Sequence, residues 1–405
     1  VLIRLFWRGR LEPGYHQYIA ERFGFYSAAC KPRQAMIWVH AVSVGETRAA
    51  EPLIRQLQQS YPTHRILLSH MTPTGRATGA LLFPNQEVQQ CFLPYDIPYL
   101  AQKFLAHFRP VICILMETEV WPNLIYACQR QHIPVTLVNA RLSHKSFQKA
   151  QHYPRLIRPA AAAISCIAAQ TEADAGRLRA LGARRVVVTG NSKFDITLKL
   201  EQLAAGQALR LQFGARPVIL CASTREDEET LILEAYTNQS EQSLLVIVPR
   251  HPQRFDLVEQ LTKQHGMRME RRSTLGQKNL SSEVQVLLGD TMGELISYFV
   301  SCDVAFIGGS LLPLGGQNLI EACAVKKPVL LGPHTFNFEA ISNDALEANC
   351  ALRVHNAEEL IEEANKLIQD NQRRTRMGEN ALEFANRHRG ATERTVDLLR
   401  EFIPR

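Results

Sequence analysis

Glu46 closes the stretch HAVSVGE, where a run that reads as a buried strand, MIWVHAV, breaks at small residues. It puts one carboxylate where a helix would begin. An acid there has two uses. It can cap the helix, held by unpaired N–H groups and the helix dipole. It can also stand at the mouth of a cleft as a general base. The same choice recurs along the chain. VICILMETEVWPN ends a strand with Glu117 and Glu119 before Trp121 and Pro122, and Pro122 fits the first turn of a following helix. One acid is available for work and the other for capping. PVTLVNARLS ends in Asn139, Arg141 and Ser143, and HMTPTGR supplies Thr72, Thr74 and Arg76. Turn and cap chemistry accounts for each stretch taken alone. Several polar strand ends around one cleft say more.

The second half has its own set. CASTREDEE puts Ser223 and Thr224 after a strand and leads into an acid-rich helix start. VPRHPQRF places Arg250, His251 and Arg254 at the next strand end, a grouping that suits a phosphate better than a core. GDTMGEL offers Asp290, Met292 and the amides around Gly293, with a helix N-cap as the alternative role for Asp290 or Thr291. FIGGSLLPLGGQNLIEACAVKKPVLLGP is the richest stretch. Gly308–Gly309–Ser310 end a strand, and Gly315–Gly316 are expected to open a helix carrying Asn318 and Glu321. Glycines at a helix start let N–H groups approach an anion. Glu321, one turn on, is placed to accept bonds from ribose hydroxyls.

Strands must position these residues. From residue 36 near-continuous apolar runs alternate with stretches of helical length, the pattern of parallel α/β sheets. The alternation pauses near 195–215 and restarts, which predicts two α/β domains. A chain of 405 residues is also too long for one ordinary core. Two doubly wound domains facing each other make one deep cleft, with ligands beyond the C-terminal strand ends. Net charge is +7, which favours acidic partners. The nine cysteines are scattered, with no CxxC, and read as small core residues. There is no HExxH and no GxxxxGK[ST], so no metal site is expected. No apolar run reaches the roughly 20 residues that span a bilayer. The opening VLIRLFWRGR, basic with Phe6 and Trp7, reads either as the tail of a membrane anchor suited to an anionic membrane surface or as an ordinary amphipathic N-terminal helix.

Together HAVSVGE, METEVWPN, NARLS, KFD, PRHPQRF, GDTMGEL, GGSLLPLGGQN and GPHTFNF resemble the 3-deoxy-D-manno-oct-2-ulosonic acid (Kdo) transferases of Gram-negative bacteria, over nearly the whole chain. The resemblance implies the GT-B glycosyltransferase fold, two Rossmann-like domains across a cleft. It implies a membrane-proximal segment (1–35), an acceptor-binding domain (36–200), a CMP-Kdo-binding domain (205–375) and a C-terminal helix (376–405). It implies metal-independent transfer of Kdo from CMP-Kdo to a lipid A precursor, lipid IVA, at the cytoplasmic face of the inner membrane. No cofactor and no nucleic acid partner are expected. The family's general base corresponds to Glu46. Ser43, Thr47, Arg48 and Thr72 are expected on the acceptor side, with Glu117, Glu119, Asn139 and Arg141. Lys193, Ser223, Thr224, Arg250 and His251 are expected on the donor side. So are Asp290, Met292, Gly293, Gly309, Ser310, Asn318 and Glu321. Gln317 stands where the family commonly has His, and Gln cannot titrate. Cys323 stands where Ala is common. A 2-epimerase of the same fold would explain the second half but not METEVWPN, GPHTFNF or the basic start. A non-catalytic lipid- or nucleotide-binding protein would have no need of Glu46.

Overall fold

Fourteen short strands, most of them buried at every residue, organise the computed structural model, which describes residues 13–26, 34–85, 87–195, 198–238 and 243–404. The expectation for the opening VLIRLFWRGR lies outside the described residues. Two units form. One comprises Val1–Asp195 with His388–Arg405, the other Ile196–Arg387.

The first unit holds β1 (Met36–His40), β2 (Arg65–His70), β3 (Gln89–Phe92), β4 (Ile112–Met116), β5 (Val135–Ala140), β6 (Cys166–Ala169) and β7 (Val186–Val188). Their order is β3-β2-β1-β4-β5-β6-β7, and the pairs are parallel, with Ile37 opposite Ile66 on one side and Ile112 on the other. Every residue of β1 is buried. Strands covered on both faces must be apolar throughout, which is why they read as runs rather than alternations. Ile37, Val39 and Ile114 point to one core, Trp38, Cys113 and Leu115 to the other.

The second unit holds β8 (Val218–Thr224), β9 (Leu244–Pro249), β10 (Met269–Arg271), β11 (Val286–Leu288), β12 (Val304–Ile307), β13 (Val329–Leu331) and β14 (Ala351–Arg353), in the order β10-β11-β9-β8-β12-β13-β14. Sequence reading finds every strand except β10 and β14. Both are three-residue strands at the sheet's two edges, and Glu270, Arg271 and Arg353 interrupt their apolar pattern. In both sheets the order reverses beside the first strand. That reversal opens a crevice at the C-terminal strand ends, between β1 and β4 and between β8 and β12. The eight cysteines among the described residues are all free and buried.

The segment 376–405 is not one C-terminal helix. A helix over Asn371–His388 ends, and a second, Ala391–Leu399, packs in the first unit, with Val396, Leu399 and Ile403 in the core that holds Ile54 and Leu57. Asp195, of the KFD motif, caps this returning helix. Its carboxylate accepts from Gly390 N (2.6 Å), Ala391 N (3.2 Å) and Thr392 N (2.5 Å). Asp195→Ala strands those donors, and we expect a loss of about 1–2 kcal/mol. Urea unfolding of the variant would show it, and an unchanged midpoint would remove the cap from the account.

Candidate active site

Glu46 sits in the first turn of the helix Val44–Ser60, which starts three residues after β1. Ser43 is the N-cap, and its Oγ accepts from Glu46 N at 3.5 Å. Glu46 Oε2 reaches back to Val42 N at 2.6 Å. The loop is thus partly a capping arrangement. It does not hold the carboxyl at its ordinary value. Burial pushes Glu46 up to about 7; the Val42 N–H opposes this, Glu119 and Glu117 add to it, and Lys193 pulls back. The loop is fixed from below. Thr72 Oγ1 donates to Val42 O at 2.9 Å and accepts from Gly75 N. Gly75 has no room for a side chain: a Cβ would stand 3.0 Å from Val42 O. His70, held neutral by burial, bonds Ala41 O through Nδ1 (3.1 Å).

Three strand ends complete the cluster. Glu117 follows β4 with φ +53° and is 3% exposed. Its Oε1 takes Lys193 Nζ at 2.6 Å and its Oε2 takes Arg141 Nε at 3.0 Å. The cations are the exposed partners of this pair, so the buried carboxylate depends on them more than they on it. Glu119, two residues on, accepts from Trp121 Nε1 at 2.9 Å, and burial pushes its carboxyl up. Asn139 has φ +51° inside a register shift of β5 against β6, and its Oδ1 receives Ser192 N (3.1 Å). That bond steers the loop that delivers Lys193.

In the second unit the bulge recurs: Ser223 has φ +57° where β8 shifts register against β9. Non-glycine residues in this conformation are costly and collect where a strand end must be re-aimed. Across the crevice Gly308 passes so close that a Cβ would stand 2.6 Å from Ser223 O. Glu228 joins the two loops. It is fully buried and accepts from Arg225 N (2.9 Å), Gly309 N (2.6 Å) and Leu311 N (2.9 Å). Nothing in REDEE marks which of its acids turns inward. Open to solvent around this crevice stand Arg250, His251 and Met292, with Gln317, Asn318 and Glu321 half-buried. Burial raises the Glu321 carboxyl and the charge of Arg250 lowers it.

Several expectations need correction. Thr47 is fully buried and spends its hydroxyl on Ser43 O (2.8 Å); Asn139 is buried in the loop-steering bond. The Thr47 hydroxyl is spent within its own helix, and the Asn139 Oδ1 is spent on Ser192, while the buried Asn139 Nδ2 has no hydrogen-bond partner among the described residues. Lys193 lies in the first unit, where it pairs with Glu117. Thr224 and Ser310 are fully buried, bonded to Glu229 and to Ile307 O and Gly332 N. The Gly309 N–H is taken by Glu228 rather than left for an anion. Arg254 pairs with buried Glu229 at 2.8 Å, and Arg76 with Glu21 at 2.6 Å. Asp290 holds Ser273 through its N and Oγ. Gly315–Gly316 do not open a helix: it begins at Ile320, and Asn318 Oδ1 accepts Ile320 N. Among the described residues no group of three or more His, Cys, Asp or Glu side chains could hold a metal ion. A cavity of about 550 Å³ beside β3, lined by Tyr18, Phe83 and Arg65 among others, includes the Arg76–Glu21 pair but not Glu46, Glu117 or Glu119.

Two parallel sheets of this order, each with polar loops at its reversal, are the two Rossmann-like domains of the GT-B fold class. A profile of the 3-deoxy-D-manno-octulosonic-acid transferase (kdotransferase) family matches residues 17–196, and one of the glycosyl transferases group 1 matches 232–384. The chain is 42% identical to the 3-deoxy-D-manno-octulosonic acid transferase of Bordetella pertussis, over 98% of this chain and 95% of that one. It is 39% identical to that of Haemophilus influenzae, over 97% and 93%. The UDP-GlcNAc 2-epimerase of Neisseria meningitidis shares the fold, with TM-score 0.62 at 18% identity over 90% of this chain and 100% of that one. The chain belongs to the 3-deoxy-D-manno-octulosonic acid transferase family.

Proposed function

We propose that the enzyme transfers Kdo from CMP-Kdo to a sugar hydroxyl of a lipid A precursor, with Glu46 as general base. The observation that carries this is a half-buried carboxyl at the β1–β4 crevice poised at about 7. A base titrating near the working pH couples a useful ionised fraction to real proton affinity. Glu46 takes the proton of the acceptor hydroxyl. The hydroxyl oxygen attacks the anomeric carbon of Kdo, and the bond to the phosphate oxygen breaks with its electron pair leaving on CMP. Arg250, exposed at the end of β9 and held by Arg250 N to Thr224 O at 2.9 Å, is the cation for that charge. Arg48 and Arg141, exposed near Glu46 and Glu117, suit an acidic acceptor. No step of this reaction passes through a metal or cofactor. The enzyme acts at the cytoplasmic face of the inner membrane, where a lipid acceptor would be met. No helix among the described residues is long and apolar enough to cross a membrane.

The test is transfer of Kdo, from CMP-Kdo generated in situ, to a tetraacylated lipid A precursor with EDTA present. Mass addition of Kdo with release of CMP is expected. Absence of product in both detergent and lipid would overturn the reading.

A further inference from the structure

Between Val120 and Thr171 the chain has no aspartate or glutamate but six lysines and arginines. This stretch forms three helices of the first unit, Pro122–Arg130, His144–Gln151 and Pro154–Ala163, the last touching both others. The helix His144–Gln151 buries none of its residues, and Pro154–Ala163 buries only Ala160 and Ala161. Lys145 and Lys149 are one turn apart, as are Arg155 and Arg158, and all four are exposed. None of them forms an ion pair among the described residues, whereas Arg76, Arg141, Arg177, Arg179 and Arg185 of the same unit each meet a carboxylate. Between them Tyr153 is 67% exposed and Leu156 54% exposed. The carboxylates bordering the stretch are engaged: Asp96 accepts from Asn123 N and Leu124 N, and Glu172 meets Arg179.

We infer that the exposed face of the helices His144–Gln151 and Pro154–Ala163 docks on an anionic phospholipid bilayer. Four unpaired cations supply the attraction. Tyr153 and Leu156 supply the apolar anchor that interfacial binding needs, with arginine stems lying beside them. A nucleic acid would use the cations but gains less from an exposed leucine. The surface begins at Ser143, the N-cap of the first helix, two residues after Arg141 on Glu117. Docking there holds the β4 and β5 strand ends at the lipid surface. The inference rests on the lipid acceptor proposed above, but its test does not.

The full chain is mixed with vesicles of phosphatidylcholine alone or with 30% phosphatidylglycerol, and the bound fraction is read by flotation. Wild type is expected on the anionic vesicles only, less so as salt rises. The variant Lys145→Gln, Lys149→Gln, Arg155→Gln, Arg158→Gln is expected to bind a hundredfold or more weakly, at roughly fivefold per cation. Tyr153→Ser with Leu156→Ser is expected to weaken binding without changing its salt dependence. A control removing Lys278, Lys326, Arg376 and Arg387, exposed cations of the second unit, is expected to bind as wild type. Equal loss in the control, or unchanged binding in the first variant, overturns the docking surface. So does loss of single-stranded RNA binding by the first variant with vesicle binding intact. Kdo transfer in detergent should be unaltered in the four-cation variant. If wild type transfers no Kdo yet the vesicle results hold, the docking surface stands and the acceptor reading falls.

Discussion

Glu46→Gln is expected to lose roughly 10²–10⁴-fold in kcat, the usual yield of a positioned general base, with CMP binding intact. The substitution keeps the shape and an oxygen for the Val42 N–H, so it removes the proton acceptor and little else. In wild type kcat/KM should rise with pH up to about 7, the value to which Glu46 is pushed, and then level off. That acid limb should be absent from the residual activity of the variant. Stability gives an independent reading of the same group. Its folded value of about 7 lies above the ordinary 4.5, so the folded state holds the proton more tightly than the unfolded one. Stability contributed by the protonated form is complete below about 4.5 and falls as pH rises to about 7. At pH 8 Glu46→Gln should therefore be more stable than wild type, by about 1–2 kcal/mol after allowance for the partly exposed side chain. Denaturant titrations at pH 5 and pH 8 measure the difference. A variant that is slower but no more stable at pH 8 would mean that Glu46 is a cap whose loss disturbs the loop.

Glu228→Ala carries the largest expected stability cost, about 3–5 kcal/mol, because three donors in a sealed site lose one acceptor group together. Glu228→Gln should not rescue it, since one of its two terminal atoms is then a donor aimed at donors. Glu226→Ala, two positions away on a carboxylate 45% exposed beside Arg225, should change stability by less than about 0.5 kcal/mol. The contrast within one acidic run is the test, read by urea unfolding of each protein. CMP affinity by calorimetry should fall in both Glu228 variants, because the Gly308–Ser310 turn is no longer tied to the end of β8. If Glu228→Ala unfolds at the wild-type midpoint, the buried carboxylate is not what joins these loops.

The sheets were legible because burial on both faces demands apolar residues without interruption, and twelve runs answer that demand. β10 and β14 escaped because Glu270, Arg271 and Arg353 break their short runs, where the equally short edge strand β7 reads Val-Val-Val. Glu46, Glu117 and Glu119 were legible as acids at strand ends. Their division of labour was not. Glu117 is neutralised by Lys193 from a loop 76 positions on, and Glu46 is left under-compensated; only the folded chain sets such a difference. The bulges at Asn139 and Ser223 carried no sequence signal that separates them from ordinary turn residues. The donor side was over-read for a related reason. Thr224, Ser310 and Arg254 have the types a phosphate wants, but those types also serve buried carboxylates, and Glu228 and Glu229 claim them first.

The return of the chain to the first unit has a consequence for the order in which the protein is made. A ribosome emits residues from the N-terminus, and a domain ordinarily folds as soon as its last residue is out. Here the strands β1–β7 emerge early, but the helix Ala391–Leu399 that covers the helix bearing Glu46 emerges after all of β8–β14. Until then Asp195 has no helix to cap, and the apolar face around Leu53, Ile54 and Leu57 lacks Val396 and Leu399. The unit begun first is finished last. Nascent chains stopped between the end of β7 and Ala391 would carry that open face, so this enzyme needs shelter from aggregation throughout the interval in which β8–β14 are made.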